Sequence, residues 1–241
     1  MDLPPFIDPG KGAGDPDETT PAPDDLDLVA KRLGPPATWR FRIPMQDGEF
    51  ALLDRTGADG RWQDATILID ARRLPDPPVY DTLGIPQVHG RAGSFVAIRK
   101  QWYPEGLYRY PSGTAAPGEG IVHTALRGSA RETGLEVRLV RYLLATDGEF
   151  YLGDPDDPSR RRPWRSHVFL AEPMSDTVSP AEGQAAVEAR VVGGDEMLGT
   201  IHPRLLGHGL GGFHYRVGLQ ERALGLIGIG AGRLPEVPDA T

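Results

Sequence analysis

The 241-residue chain has no cysteine, which excludes disulfides and thiolate metal sites. Any metal ion must then be held by carboxylate, histidine or backbone oxygen. No run approaches the roughly 18 apolar residues that a membrane helix needs. The opening MDLPPFIDPG carries neither a basic stretch nor an apolar core, so no secretion signal is expected and the cytoplasm is the default location. An excess of basic residues is also missing, because the formal net charge is −8. Residues 1–27 hold eight acids against Lys11 alone, leaving a nearly neutral body. Nothing resembles the cationic footprint that a nucleic-acid backbone requires, so neither nucleic acid nor membrane is an expected partner.

What is present falls into three stretches. Residues 1–36 open with a Pro-, Gly- and Asp-rich tail that cannot bury enough apolar surface to offset ordering entropy. DDLDLVAKRLG (24–34) follows as a candidate short helix, acidic at its start and basic at its end. Residues 37–88 carry three β-like runs, TWRFRI (38–43), EFALLD (49–54) and ATILID (65–70), separated by turn-forming residues. These predict a small antiparallel β-subdomain, followed by a proline-broken connector at 71–87. Residues 89–241 hold the remainder. Strands are expected at 93–101, 107–111, 136–146, 166–173 and 187–192, with helices at about 119–133 and 213–228. The class is therefore α/β or α+β.

The helix near 120 carries the chemistry. Ile121, Val122, Ala125, Leu126, Ser129 and Ala130 suggest its buried stripe, leaving Thr124, Arg127, Gly128, Arg131 and Glu132 exposed. Gly134 suits a left-handed C-cap, with Leu135 packing back. Acids at 128 and 132, one turn apart, could pinch a divalent cation, yet only Glu132 is acidic.

The stretch GTAAPGEGIVHTALRGSARETGL (113–135) resembles the Nudix box, G-x5-E-x7-R-E-U-x-E-E-x-G-U, where U is a bulky aliphatic residue. Gly113, Glu119, Arg127, Glu132, Gly134 and Leu135 stand at the required intervals. The preceding RKQWYPEGLYRYPSG (99–113) looks like the strand–loop–strand of the ADP-ribose pyrophosphatase-like branch. The resemblance implies an α/β/α sandwich with a mixed sheet, a homodimer, and hydrolysis of a nucleotide-derived compound of the ADP-ribose or sugar-nucleotide type. It also implies Mg²⁺ or Mn²⁺ held by three helix glutamates. Two of those positions are Gly128 and Arg131 here, so Glu132 is the one expected metal ligand and the box is degenerate. The expected catalytic set is Glu132, Arg127, Glu119 and Glu182, with Arg127 free to pair with Glu132. Gly113, Arg99, Trp102, Arg131 and Arg165 are the expected substrate contacts. A catalytically silent nucleotide-binding or regulatory domain is the alternative.

Other features carry less. LGDPDDPSRRRPWRS (152–166) reads first as a hairpin loop whose opposite charges pair, and second as a substrate loop. Trp102 and Tyr103 suit either a nucleotide-stacking platform or the core. His123 is expected in solvent, and His202, His208 and His214 form no metal-spaced motif.

Overall fold

The computed structural model describes residues 26–58, 62–74, 93–180 and 185–230. The acidic tail, most of the proline-broken connector and Glu182 lie outside these residues. Helix α1 (Leu26–Leu33) leads into strand β1 (Ala37–Pro44), whose alternation turns Trp39, Phe41 and Ile43 inward. Helix α2 (Asp47–Ala58) and strand β2 (Gln63–Ile69) follow. Then come β3 (Ser94–Lys100), the short β4 (Ser112–Thr114) and helix α3 (Ile121–Thr133). The long β5 (Val137–Tyr151) and β6 (Arg161–Pro173) form a hairpin. Strand β7 (Ala186–Gly193), α4 (Gly194–Glu196), a π-helical turn (Met197–Ile201), α5 (His202–Leu206) and α6 (Gly211–Leu226) complete the described chain.

Five strands make a mixed sheet in the order β1-β5-β6-β2-β4, and β3 and β7 pair antiparallel beside it. Two apolar cores cover the five-stranded sheet. One joins α2 and α6 to Trp39, Phe41, Phe150 and Trp164. The other joins α1 and α3 to Ala65, Ile67, Ile69 and Phe169. Apolar material on both faces of a mixed sheet makes an α/β/α sandwich. Among the described residues no helix is long and apolar enough to cross a membrane.

The pairing of residues 37–70 departs from the expected antiparallel subdomain. Strand β1 runs parallel to β5 and β2 runs parallel to β6, so both belong to the central sheet. EFALLD is helical, not extended. Within α2, Phe50 and Leu53 fall at i and i+3 and enter one core, while the buried Glu49 caps a different helix. Its carboxylate accepts from the backbone N–H of Gly211 at 3.1 Å and of Gly212 at 2.9 Å, the orphan donors at the start of α6. A strand there would send Phe50 and Leu53 to opposite faces. The expected strand at 107–111 is irregular and pairs with β3 through an isolated Ile98–Arg109 bridge.

Helix α3 covers the predicted span, but its buried stripe is rotated. Ile121, Thr124, Ala125, Gly128, Ser129 and Glu132 face inward, whereas Leu126 is exposed. The spacing i, i+3, i+4, i+7, i+8, i+11 is regular; four of its six members, Thr124, Gly128, Ser129 and Glu132, are simply not apolar. Thr124 and Thr133 satisfy their hydroxyls on the helix's own carbonyls, and Ser129 donates to Leu135 O. Gly134 is the left-handed C-cap, with φ of +75°.

Candidate functional site

Strand β4 meets α3 backbone against backbone. A Cβ added to Gly113 would lie 2.7 Å from the Thr124 carbonyl oxygen. One added to Gly128 would lie 2.9 Å from Gly113 N and 3.1 Å from its Cα. Two glycines facing one another let the strand press onto the helix, as only residues without side chains permit. Position 128 therefore lacks both a carboxylate and room for one.

At the first turns of α3, Glu119 fastens the preceding loop. Its buried carboxylate accepts from Ala116 N at 2.8 Å and from Arg127 Nε and Nη2, each at 2.7 Å. Arg127 also donates to Thr114 O at 3.0 Å, and His123 Nδ1 lies 2.8 Å from Glu119 Oε1. Burial alone would raise the Glu119 pKa, but the Arg127 guanidinium and the Ala116 N–H outweigh it and hold the group at about 2. The partner of Arg127 is thus Glu119, not the expected Glu132. The reason is geometric: a guanidinium at 127 meets both carboxylate oxygens of 119 in one fork.

One end of the helix away, Glu132 is 1% exposed and has three partners among the described residues. Oε2 accepts from Ser112 N at 2.8 Å. Oε1 faces Lys100 Nζ at 2.5 Å and Arg109 Nη2 at 3.3 Å. Lys100 and Arg109 are themselves buried, at 3% and 8% side-chain exposure. The Arg109 guanidinium also donates to Ser112 Oγ, and the Lys100 ammonium stands 5.6 Å from the Trp102 ring centroid. Desolvation pushes the Glu132 carboxyl upward, yet the charges of Arg109 and Lys100 prevail, so its pKa lies below the ordinary glutamate value. The group is an anion enclosed by cations.

A second buried polar group lies on the α6 side of the sheet. Arg216 pairs with the fully buried Asp64 at 2.8 Å and reaches Thr66 Oγ1 at 3.3 Å. Ser166 Oγ is hydrogen-bonded to both Asp64 and the Tyr215 hydroxyl. Tyr103, which packs edge-on against Phe213, is close enough to both Arg109 and Arg216 to feel their charges. Burial raises its phenol pKa and the two arginines oppose that rise.

The expected site residues separate into three groups. Gly113, Glu119, Arg127 and Glu132 gather on the β4–α3 unit, joined by Arg131, which is half-buried on α3 with no ion pair among the described residues. Trp102 is half-buried against the core beside Lys100. Arg99 and Arg165 are engaged elsewhere. Arg99 pairs with Glu188 of β7 at 2.9 Å, and Arg165 pairs with Asp147 across the β5–β6 hairpin at 3.3 Å, both partners two-thirds exposed. The stretch 152–166 is a hairpin, but its charges pair outward and not with one another as expected: Arg161 meets Glu149, Arg162 meets Asp54, Asp156 meets Arg42, and Trp164 is core. Sequence reasoning missed Lys100, Arg109, Asp64 and Arg216. Asp64, an acid beside the mostly apolar run ATILI of β2, was the one available signal.

The donor set does not suit a divalent ion. Mg²⁺ seeks near-octahedral oxygen ligation. Here position 128 offers no side-chain oxygen, position 131 offers a cation, and both oxygens of Glu132 already have donors. Among the described residues, no three His, Asp or Glu side chains converge on a point.

The family model described as NUDIX domain matches residues 81–206, just over half of the chain. Similar solved structures include a UDP-X diphosphatase at 16% identity and TM-score 0.37, covering 56% of this chain and 51% of that one. A hydrolase of the NUDIX family from Clostridium perfringens shows 12% identity and TM-score 0.38, covering 69% and 98%. An ADP-ribose pyrophosphatase from Streptococcus suis 89-1591 shows 10% identity and TM-score 0.33, covering 55% and 74%. The chain spans about half the length of the first of these.

Proposed function

The chain belongs to the NUDIX domain family, and from that premise we propose that it binds a nucleoside diphosphate-linked compound of the ADP-ribose or sugar-nucleotide type without a divalent ion at the helix. One observation carries this reading: Glu132, the sole acid left at the three ligand positions, is closed by Lys100, Arg109 and Ser112 N. Arg131, one residue before it and without an ion pair among the described residues, supplies a cation for the diphosphate. Arginine suits that task, since its planar fork contacts two phosphate oxygens together. Trp102 offers a half-buried ring next to the same cluster for a base to stack on. Hydrolysis at the family's ordinary metal-dependent rate is not expected.

Family membership sustains one rival reading. In it, acids outside the described residues, Glu182 first among them, complete a metal site and the chain is a slow pyrophosphohydrolase.

A thermal-shift screen of nucleoside diphosphate derivatives, with and without Mg²⁺ or Mn²⁺, separates the two. Ligand at a hundred times its Kd stabilises a one-site protein by about 2.7 kcal/mol, a readily measured rise in Tm. The binding reading expects stabilisation that added metal leaves unchanged or weakens, and that Arg131→Ala removes. Metal-dependent release of a nucleoside monophosphate, abolished by Glu182→Gln, would establish the hydrolase instead. The expected homodimer is checked in the same samples by sedimentation velocity.

A further inference from the structure

Three features converge on the last turn of α3. The Glu132 carboxylate is almost wholly buried, as are both cations facing it. Those cations come from separate places: Lys100 ends β3, and Arg109 lies in the irregular segment before β4. The other carboxylate oxygen is taken by the N–H of Ser112, the first residue of β4. A buried carboxylate must be balanced, because an isolated one is far costlier to desolvate than a paired one. In a helix with three acids, an external divalent ion can provide that balance. Here the chain provides it.

We propose that Lys100, assisted by Arg109, is a built-in cation that takes the electrostatic place of the divalent ion in this loop–helix unit. The ammonium neutralises Glu132, ties β3 and β4 to the end of α3, and closes the carboxylate to metal. Gly128 fits the same arrangement. With the loop backbone pressed against it, no second acid can enter to tip the balance back toward a divalent ion. The unit therefore keeps its ligand-ready geometry with or without Mg²⁺. This rests on the reading of the site as one that works without metal. Its test uses no nucleotide, so its failure leaves the ligand class standing.

The experiment follows Mn²⁺ binding to the full chain by the electron paramagnetic resonance of free Mn²⁺. Wild type is expected to leave the free-ion signal almost undiminished. Lys100→Met, which removes the charge but keeps an apolar stem, should bind Mn²⁺ at least about tenfold more tightly. Lys100→Arg, which keeps the charge, should behave as wild type. Equal Mn²⁺ affinity in wild type and Lys100→Met, whether strong or absent, would overturn the proposal. If circular dichroism shows Lys100→Met to be unfolded, the wild-type amide spectrum decides. Mn²⁺ that leaves the resonances of residues 128–134 sharp supports the built-in cation, and selective broadening there refutes it.

Discussion

The two ends of α3 hold their glutamates in opposite ways. Glu119 is fastened by residues within its own loop and helix: Ala116, His123 and Arg127 are all within eight positions. Glu132 is fastened by Lys100, 32 residues earlier, and by Arg109, 23 residues earlier. The first clamp is local, and Arg127 is about one-third exposed. The second is assembled by tertiary structure and nearly dry. A local clamp can form once the helix forms, whereas the remote one exists only when β3, β4 and α3 are all in place. Shape belongs to one end, and charge balance between separate segments belongs to the other.

That contrast can be attacked by substitution. The largest effect is expected from Glu132→Gln, which strands two buried cations and should cost about 3–5 kcal/mol in urea denaturation. A loss below about 1 kcal/mol would mean that water reaches the cluster. Gly128→Ala comes next, at about 1–3 kcal/mol, because its methyl meets the Gly113 backbone. Gly128→Glu should cost more and should not create Mn²⁺ binding. At the local end, Arg127→Ala should cost about 1–3 kcal/mol by leaving the Glu119 carboxylate short of donors.

The local clamp also has a pH signature. The folded pKa of Glu119 is depressed to about 2, below its ordinary value of 4.5. Its contribution is therefore complete above about pH 4.5 and lost as pH falls toward 2. Arg127→Ala should flatten this part of the profile, measured as the urea midpoint against pH. The smallest effect is expected from Arg165→Ala. Its exposed pair with Asp147 is worth no more than about 1 kcal/mol, and its loss should leave ligand-induced shifts in Tm intact.

The same division explains what was legible in the chain. Gly113, Glu119, Arg127 and Gly134 lie within a 22-residue window, so their spacing alone announced the loop–helix unit. The partners of Glu132 carry no such mark, because nothing in RKQW or YRYP says which carboxylate each cation will meet. The helix's inner stripe was misjudged because Thr124, Gly128, Ser129 and Glu132 do not count as apolar, although their period is helical. EFALLD was misread for a related reason. Six residues cannot separate a period of 2 from one of 3.6, and the deciding contact is Glu49 with Gly211 and Gly212, over 160 residues away. The strands β1 and β2 were recognisable as short aromatic or β-branched runs between turn-formers. Their parallel partners were not, since pairing across long connections leaves no local trace.

The facing glycines also bear on how such a chain could change over generations. Wherever the strand rests on the bare backbone at 128, restoring an acid by one codon change drives it into Gly113 before any ion can reward it. Lys100 would meanwhile still guard the carboxylate that remains. On the proposed reading, loss of Lys100 alone would open a single carboxylate to an ion, and full metal ligation would need at least one further acid and a shifted loop, so the arrangement works as a ratchet: easy to enter by small steps, hard to leave completely by any single one.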